Sequence, residues 1–378
     1  MRFDGTRETG LYSWHHIIPY SVAAMPSQLA LPHLLTPYVV SPPQSSLTVV
    51  SSVLGATGNW LVLRFLYAAL ASSPVSHPGY GGPESETRKK RRVVLVSFLR
   101  GWEFWRSEAK RLGLDLARLT ERRQFAFVDG LSELFSAPST SSQPAPTPQH
   151  YPGAGIAPRA TLPIRSHPVP TRLRQPVPAS SGSDGASPQT VREPGPTKKL
   201  HFAGSGLAAL DTIENEITMV IDELKTSGPG EDEDEPEILL VIDQPDFLLA
   251  ATGLSKGIGA TEMGEWIMGL QQAASATIAM ISADSPLIHN ASTFAHQAAT
   301  PLDTGHAAFA VGLAHRAEMI MQLRNLETGA ARDVSGVLRV SKGGAWGQRE
   351  GAAENWEEKE VLYFVQRDGG VNVFGRGE

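Results

Sequence analysis

Residues 93–99 (VVLVSFL) and 238–243 (ILLVID) are apolar at nearly every position, and no feature of the chain restricts its fold more. A strand with one wet face alternates apolar and polar residues, whereas one apolar throughout is covered on both faces, as in a parallel sheet between helices. Helical spacing follows the first run: Trp102, Trp105, Ala109 and Leu112 step by three and four, with Glu103, Arg106, Lys110 and Arg111 opposite. Upstream, residues 47–54 (LTVVSSVL) read as a strand, Gly55 to Asn59 as a turn, and residues 60–71 as a helix. Residues 124–128 (QFAFV) predict a third strand, with a helix starting over 131–135. A long helix carries Leu207, Leu210, Ile213, Ile217, Val220, Ile221 and Leu224 on one stripe. A further helix is expected over 263–274 and a strand over 277–282.

Beyond Pro301 the pattern changes to closely spaced strands at 318–323, 336–341, 361–366 and 371–374, the last two joined by the hairpin signal Arg367-Asp368-Gly369-Gly370. Strand-helix units finished by an antiparallel meander predict an α/β domain of the RecA-like, P-loop-NTPase-like kind. Its central sheet is mostly parallel and its C-terminal strands are antiparallel. Four segments are expected. Residues 1–25 form a disordered extension, with Met25 as a second candidate start. Residues 26–136 and 201–378 form the two parts of the RecA-like domain. Residues 137–200 form a disordered insertion, since 14 of the 28 prolines fall within 137–199 and such a segment has too little apolar surface to offset its ordering entropy.

Charge and cysteine usage narrow the function. A net charge of −6 lacks the basic surplus of a dedicated nucleic-acid binder, so any RNA contact is local. With no Cys there is no disulfide framework, thiolate zinc site or cysteine nucleophile. Residues 9–63 contain no Asp, Glu, Lys or Arg, yet Pro19, Pro26, Pro32, Pro37, Pro42 and Pro43 cut them into pieces far shorter than the ~20 apolar residues of a spanning helix. No membrane association is expected, and Glu8 and Pro19 spoil a signal peptide.

The motifs are incomplete. Gly55 lies where an α/β nucleotide-binding protein carries its phosphate loop, but Trp60 and Leu61 stand where G-x-x-x-x-G-K requires Gly and Lys. Taking Gly58 as the second glycine puts Asn59 at the Lys. Gly55, Gly58 and Asn59 therefore read as a degenerate phosphate loop that binds no nucleotide. As a dinucleotide fingerprint, VLGATGNW has Leu61 at the third glycine. Asp243 has the position of a Walker-B carboxylate without its usual partners; a strand-end Asp capping the turn at Pro245 is the simpler reading. The His residues show no metal spacing, and Ala203-Gly204-Ser205-Gly206 is no nucleophile elbow. No catalytic residue, metal or cofactor is expected. The basic run 88–92 (RKKRR) reads as a solvated loop, with a nuclear address or RNA patch as the alternative. The piece 170–178 (PTRLRQPVP) reads as a linker, with an SH3-like docking motif as the alternative.

Residues 238–253 (ILLVIDQPDFLLAATG) and 323–344 (LRNLETGAARDVSGVLRVSKGG) resemble corresponding segments of Elongator complex protein 6 in its fungal form. Residues 93–119 and 125–135 resemble that family's second and third strand regions, in the same order. The likeness covers roughly 26–135 and 204–374. It implies a RecA-like subunit without ATPase motifs, a non-catalytic accessory in a heterohexameric ring with Elongator complex proteins 4 and 5. That ring belongs to the Elongator complex, binds tRNA, and is required for carbon-5 modification of the wobble uridine. The expected compartment is the cytoplasm, with the nucleus as a second. Lys256, Arg324, Arg332 and Lys342 are the candidate RNA or subunit-interface cations. Two other classes stay open on the residues alone: a free-standing P-loop-like ATPase and an NAD(P)-binding reductase.

Overall fold

A computed structural model describes residues 31–40, 42–71, 91–136, 195–226, 236–288, 300–327, 329, 331–348 and 356–376. The expected N-terminal extension, residues 88–90 of the basic run, the 170–178 piece and nearly all of the Pro-rich insertion lie outside these residues. In chain order come α1 (Thr36–Val39), β1 (Ser46–Ser52), α2 (Asn59–Leu70), β2 (Arg91–Ser97), α3 (Trp102–Arg111), α4 (Leu116–Glu121) and β3 (Phe125–Asp129). Then follow β4 (Lys198–Lys199), α5 (Gly206–Lys225), β5 (Glu237–Asp243), α6 (Asp246–Thr252), α7 (Ala260–Ala273), β6 (Ala276–Ser282) and α8 (Ser285–Ile288). The chain continues through α9 (Pro301–Arg316), β7 (Met319–Arg324), β8 (Gly336–Lys342), β9 (Lys359–Val365) and β10 (Val371–Phe374).

These strands form one sheet in the order β10-β9-β8-β7-β1-β6-β5-β2-β3-β4. Neighbours from β7 through β4 are parallel, and β8, β9 and β10 add antiparallel. This is the α/β architecture with a mostly parallel sheet that the sequence predicts. The apolar runs have their expected cause. Along β5, Leu239 and Val241 enter a core shared with α1–α4, while Leu240 and Ile242 enter a second core under α5, α6, α7 and α9. Along β2, Val93 and Leu95 divide from Val94 and Val96 in the same way. Each such side chain contributes roughly 1.5–3 kcal/mol by leaving water, so the central strands anchor both layers. Val361, Tyr363, Val371 and Val373 of β9 and β10 join the first core beside α2 and α3.

Three expectations need correction. Residues 131–135 are turns rather than a helix, because Asp129 Oδ1 accepts the amides of Leu131 and Ser132, both at 2.9 Å, and sets an Asx-type turn. Residues 301–316, beyond the point where only strands were expected, form α9, capped by Thr300 and Asp303. Residues 198–200, assigned by composition to the insertion, belong to the domain: Lys198 and Lys199 pair with Val128 and Asp129, and Leu200 is fully buried.

Candidate functional site

Ligands of open α/β sheets bind at the carboxyl ends of parallel strands, where neighbouring strands send their connections to opposite faces. One such point lies between β1 and β6. The helix after β1, α2, packs in the first core, and α9, following β6, packs in the second. The glycine turn stands directly on it.

Side chains of the protein fill that turn. Leu54 N donates to Asp284 Oδ1 at 2.8 Å, and Asn325 Nδ2 donates to Leu54 O at 2.9 Å. Gly55 has φ +91°, and a Cβ there would lie 3.1 Å from Asn325 Oδ1. A phosphate loop presents open amides to an anion; here the Leu54 amide already meets a carboxylate. Gly58 has a packing reason, since its Cβ would stand 2.8 Å from Met280 Sδ and 3.2 Å from Leu323 Cδ1 and Val50 Cγ1. Asn59 Oδ1 accepts the Thr57 hydroxyl at 2.8 Å.

Asp243, at the end of β5, is fully buried and closed in a similar way. Arg100 Nη1 donates to its Oδ1 at 2.8 Å and the Ser97 hydroxyl to its Oδ2 at 2.7 Å. Burial pushes the carboxyl up from its ordinary value, against the opposing pull of Arg100 and Ser97. Arg100 in turn lies over the Phe104 ring, 5.4 Å from its centroid. The guanidinium thus supplies from within the chain the positive charge that a Walker-B carboxylate finds in a metal. Beside it, Asp246 Oδ2 meets His306 Nε2 at 3.3 Å in a buried pair joining α6 to α9.

Of the four candidate cations, Arg324 and Lys342 stand at opposite ends of β7. Lys256 is exposed in the turn before α7, and that loop's amides cap neighbours: Gly253 N donates to Leu249 O, Ile258 N to Gly253 O and Gly259 N to Glu262 Oε2. Arg324 is tied to Glu327 at 2.5 Å and Glu360 at 2.8 Å, and the Glu360 bond heads the causes that raise its affinity for the proton. Arg332 is exposed in the loop after β7. Lys342 pairs in register with Met319, at the opposite end of β7 from Arg324, and its Nζ sits 4.4 Å over the Trp346 ring. Gly343, next to it, lets protein approach closely: its Cβ would stand 2.0 Å from Ala317 O, and its amide donates to Glu318 O at 2.9 Å. The described end of the basic run is structural as well. Arg91 pairs with Glu237 at 3.0 Å, and the buried Arg92 donates to the Leu224 carbonyl.

Two clefts of about 360 and 380 Å³ flank α9, lined mostly by apolar and small side chains, and neither includes Gly55, Gly58 or Asp243. Among the described residues no cluster of His, Asp and Glu is placed to hold a metal, and no helix is long and apolar enough to cross a membrane. Sequence reasoning missed Asp284, Asn325 and Arg100, because no spacing rule joins residues so far apart in the chain. No known protein family matches the sequence, and no curated protein does.

Proposed function

We propose that the chain is a RecA-like, non-catalytic subunit of an RNA-modification assembly of the Elongator type. In this reading it takes the place of Elongator complex protein 6, in a heterohexameric ring with proteins 4 and 5 that binds tRNA and serves wobble-uridine modification. The order β7-β1-β6-β5-β2 supports the fold reading, because β6 lies between the strand that carries the glycine turn and the strand that ends in Asp243. One observation carries the non-catalytic reading. The carboxylate that a metal would need open, Asp243, is already engaged by Arg100 and Ser97, and the Leu54 amide at the edge of the glycine turn is engaged by Asp284.

Co-expression with the two sister subunits followed by native mass measurement tests the reading. A complex with two copies of each chain is expected, together with no ATP or NAD(P) binding by this chain alone. A monomer that ignores both sisters overturns the assembly, and saturable ATP binding with hydrolysis returns the free-standing ATPase.

A further inference from the structure

Helix α2 is buried along most of its length, and its one charged residue lies in the middle of it. Leu61, Val62, Phe65 and Leu66 are buried, and so is Arg64, which is 1% exposed. Arg64 is also the first charged residue after the uncharged stretch 9–63. Its Nη2 donates to Gly369 O at 3.1 Å. Among the described residues its Nε and Nη1 meet no acceptor, and no carboxylate pairs with it. Burial pulls the guanidinium down to about 10 from its ordinary 12.5, which still leaves it charged at neutral pH.

A full positive charge taken out of water needs an opposite charge beside it, and a single carbonyl does not supply one. A buried water would complete the hydrogen bonds without supplying the charge. The carboxylates that adjoin the same turn are engaged. Glu108 pairs with Arg111 at 3.1 Å, and Asp368 Oδ1 accepts the Gly370 amide at 2.9 Å. A second guanidinium side chain borders the same glycine, because a Cβ at Gly369 would lie 3.4 Å from Cβ and Cδ of Arg111. The turn between β9 and β10 therefore touches two arginines, one buried and one half-exposed.

The hairpin holds itself together through Gln366, whose amide donates to Gly370 O at 2.8 Å and whose carbonyl accepts the Gly369 amide at 3.1 Å. Its link to α2 at Arg64 is the single bond to Gly369 O. Arg64 lines neither cleft beside α9, and its depth requires a small counter-charge, a halide rather than a phosphate ester.

We propose that a halide ion binds the guanidinium of Arg64 between α2 and the β9–β10 turn, and fastens that turn to the helix. The proposal stands apart from the ring reading. It is tested by urea denaturation of the full chain at constant ionic strength, with sodium chloride exchanged stepwise for sodium gluconate, whose anion is too large to follow chloride inside. The parent midpoint is expected to rise by roughly 0.5 M urea for each tenfold increase in chloride above its dissociation constant, as for one ion bound by the folded state alone. Arg64→Met, similar in length and uncharged, is expected to lose the chloride dependence and to match or exceed the parent in gluconate. Crystals of the parent grown in bromide locate the ion without any variant, by an anomalous-scattering peak at hydrogen-bond distance from Arg64 Nε or Nη1. A parent midpoint equal in chloride and gluconate overturns the proposal and leaves a water at the site. Chloride dependence that survives in Arg64→Met, or bromide peaks only elsewhere, an adventitious ion only, overturns it as well.

Discussion

Asn325 occupies the hollow of the turn at Gly55, with its Oδ1 3.1 Å from where a Cβ at Gly55 would stand and its amide on the Leu54 carbonyl. The loop after β7 thus plugs the turn after β1. Gly55→Ala meets both a φ of +91° and this side chain, so a loss of about 1–2 kcal/mol is expected. Urea denaturation of Gly55→Ala and of Gly55→Ala with Asn325→Gly measures it. The second change should recover only the steric part, and full recovery would mean the backbone conformation carries no cost.

Arg100→Ala leaves the buried Asp243 carboxyl without its ion-pair partner, and a loss of about 3–5 kcal/mol is expected at neutral pH. The sign with pH follows from burial, which raises the Asp243 carboxyl above its ordinary value. The folded state then holds a proton that the unfolded state has released, so stability is gained as pH falls through the raised value. Denaturation midpoints of Arg100→Ala should therefore rise on mild acidification, and adding Asp243→Asn should restore most of the loss at neutral pH. A double variant as weak as the single would show that the guanidinium matters for packing on Phe104 instead.

What the sequence disclosed follows from the range of the forces involved. Leu239, Leu240, Val241 and Ile242 were legible as one strand because adjacent residues feed opposite cores, and an unbroken apolar run is the mark of that arrangement. Helix α9 was not legible: Phe309 and Leu313 are buried while Leu302 and Val311 on the same helix are exposed, so no single stripe stands out. The glycine turn could be seen to lack its lysine, but not what fills it. Asp284 and Asn325 lie 230 and 271 residues from Leu54, and Arg100 lies 143 from Asp243. Local spacing carries no trace of such contacts.

Tyr363 is buried beside Trp60, with ring centroids 4.8 Å apart, and burial pushes its phenol up to about 12 from an ordinary value of 10.0. Between these values the unfolded chain has lost the proton and the folded chain keeps it, so stability falls by about 1.4 kcal/mol per pH unit. Tyr363→Phe should flatten that alkaline loss. Urea midpoints compared at about pH 9 and about pH 11 measure the difference, and parallel curves for parent and variant would place the alkaline sensitivity elsewhere.

The last prediction separates two neighbours, the candidate cation Lys342 and Gly343. Gly343 lets the end of β8 lie on the C-terminal end of α9, where an added Cβ would stand 2.0 Å from Ala317 O and 2.6 Å from Ala317 C. Backbone atoms cannot rotate out of the way as a side chain can, so Gly343→Ala should destabilise by about 1–3 kcal/mol or more through overpacking. Lys342 is exposed, and its Nζ rests 4.4 Å over Trp346, so Lys342→Gln should change stability by no more than about 1 kcal/mol, the scale of an exposed cation–π contact. Chemical denaturation of the two variants side by side distinguishes a packing glycine from a ligand-binding one. Equal stability of Gly343→Ala and the parent would mean the β8–α9 junction can open.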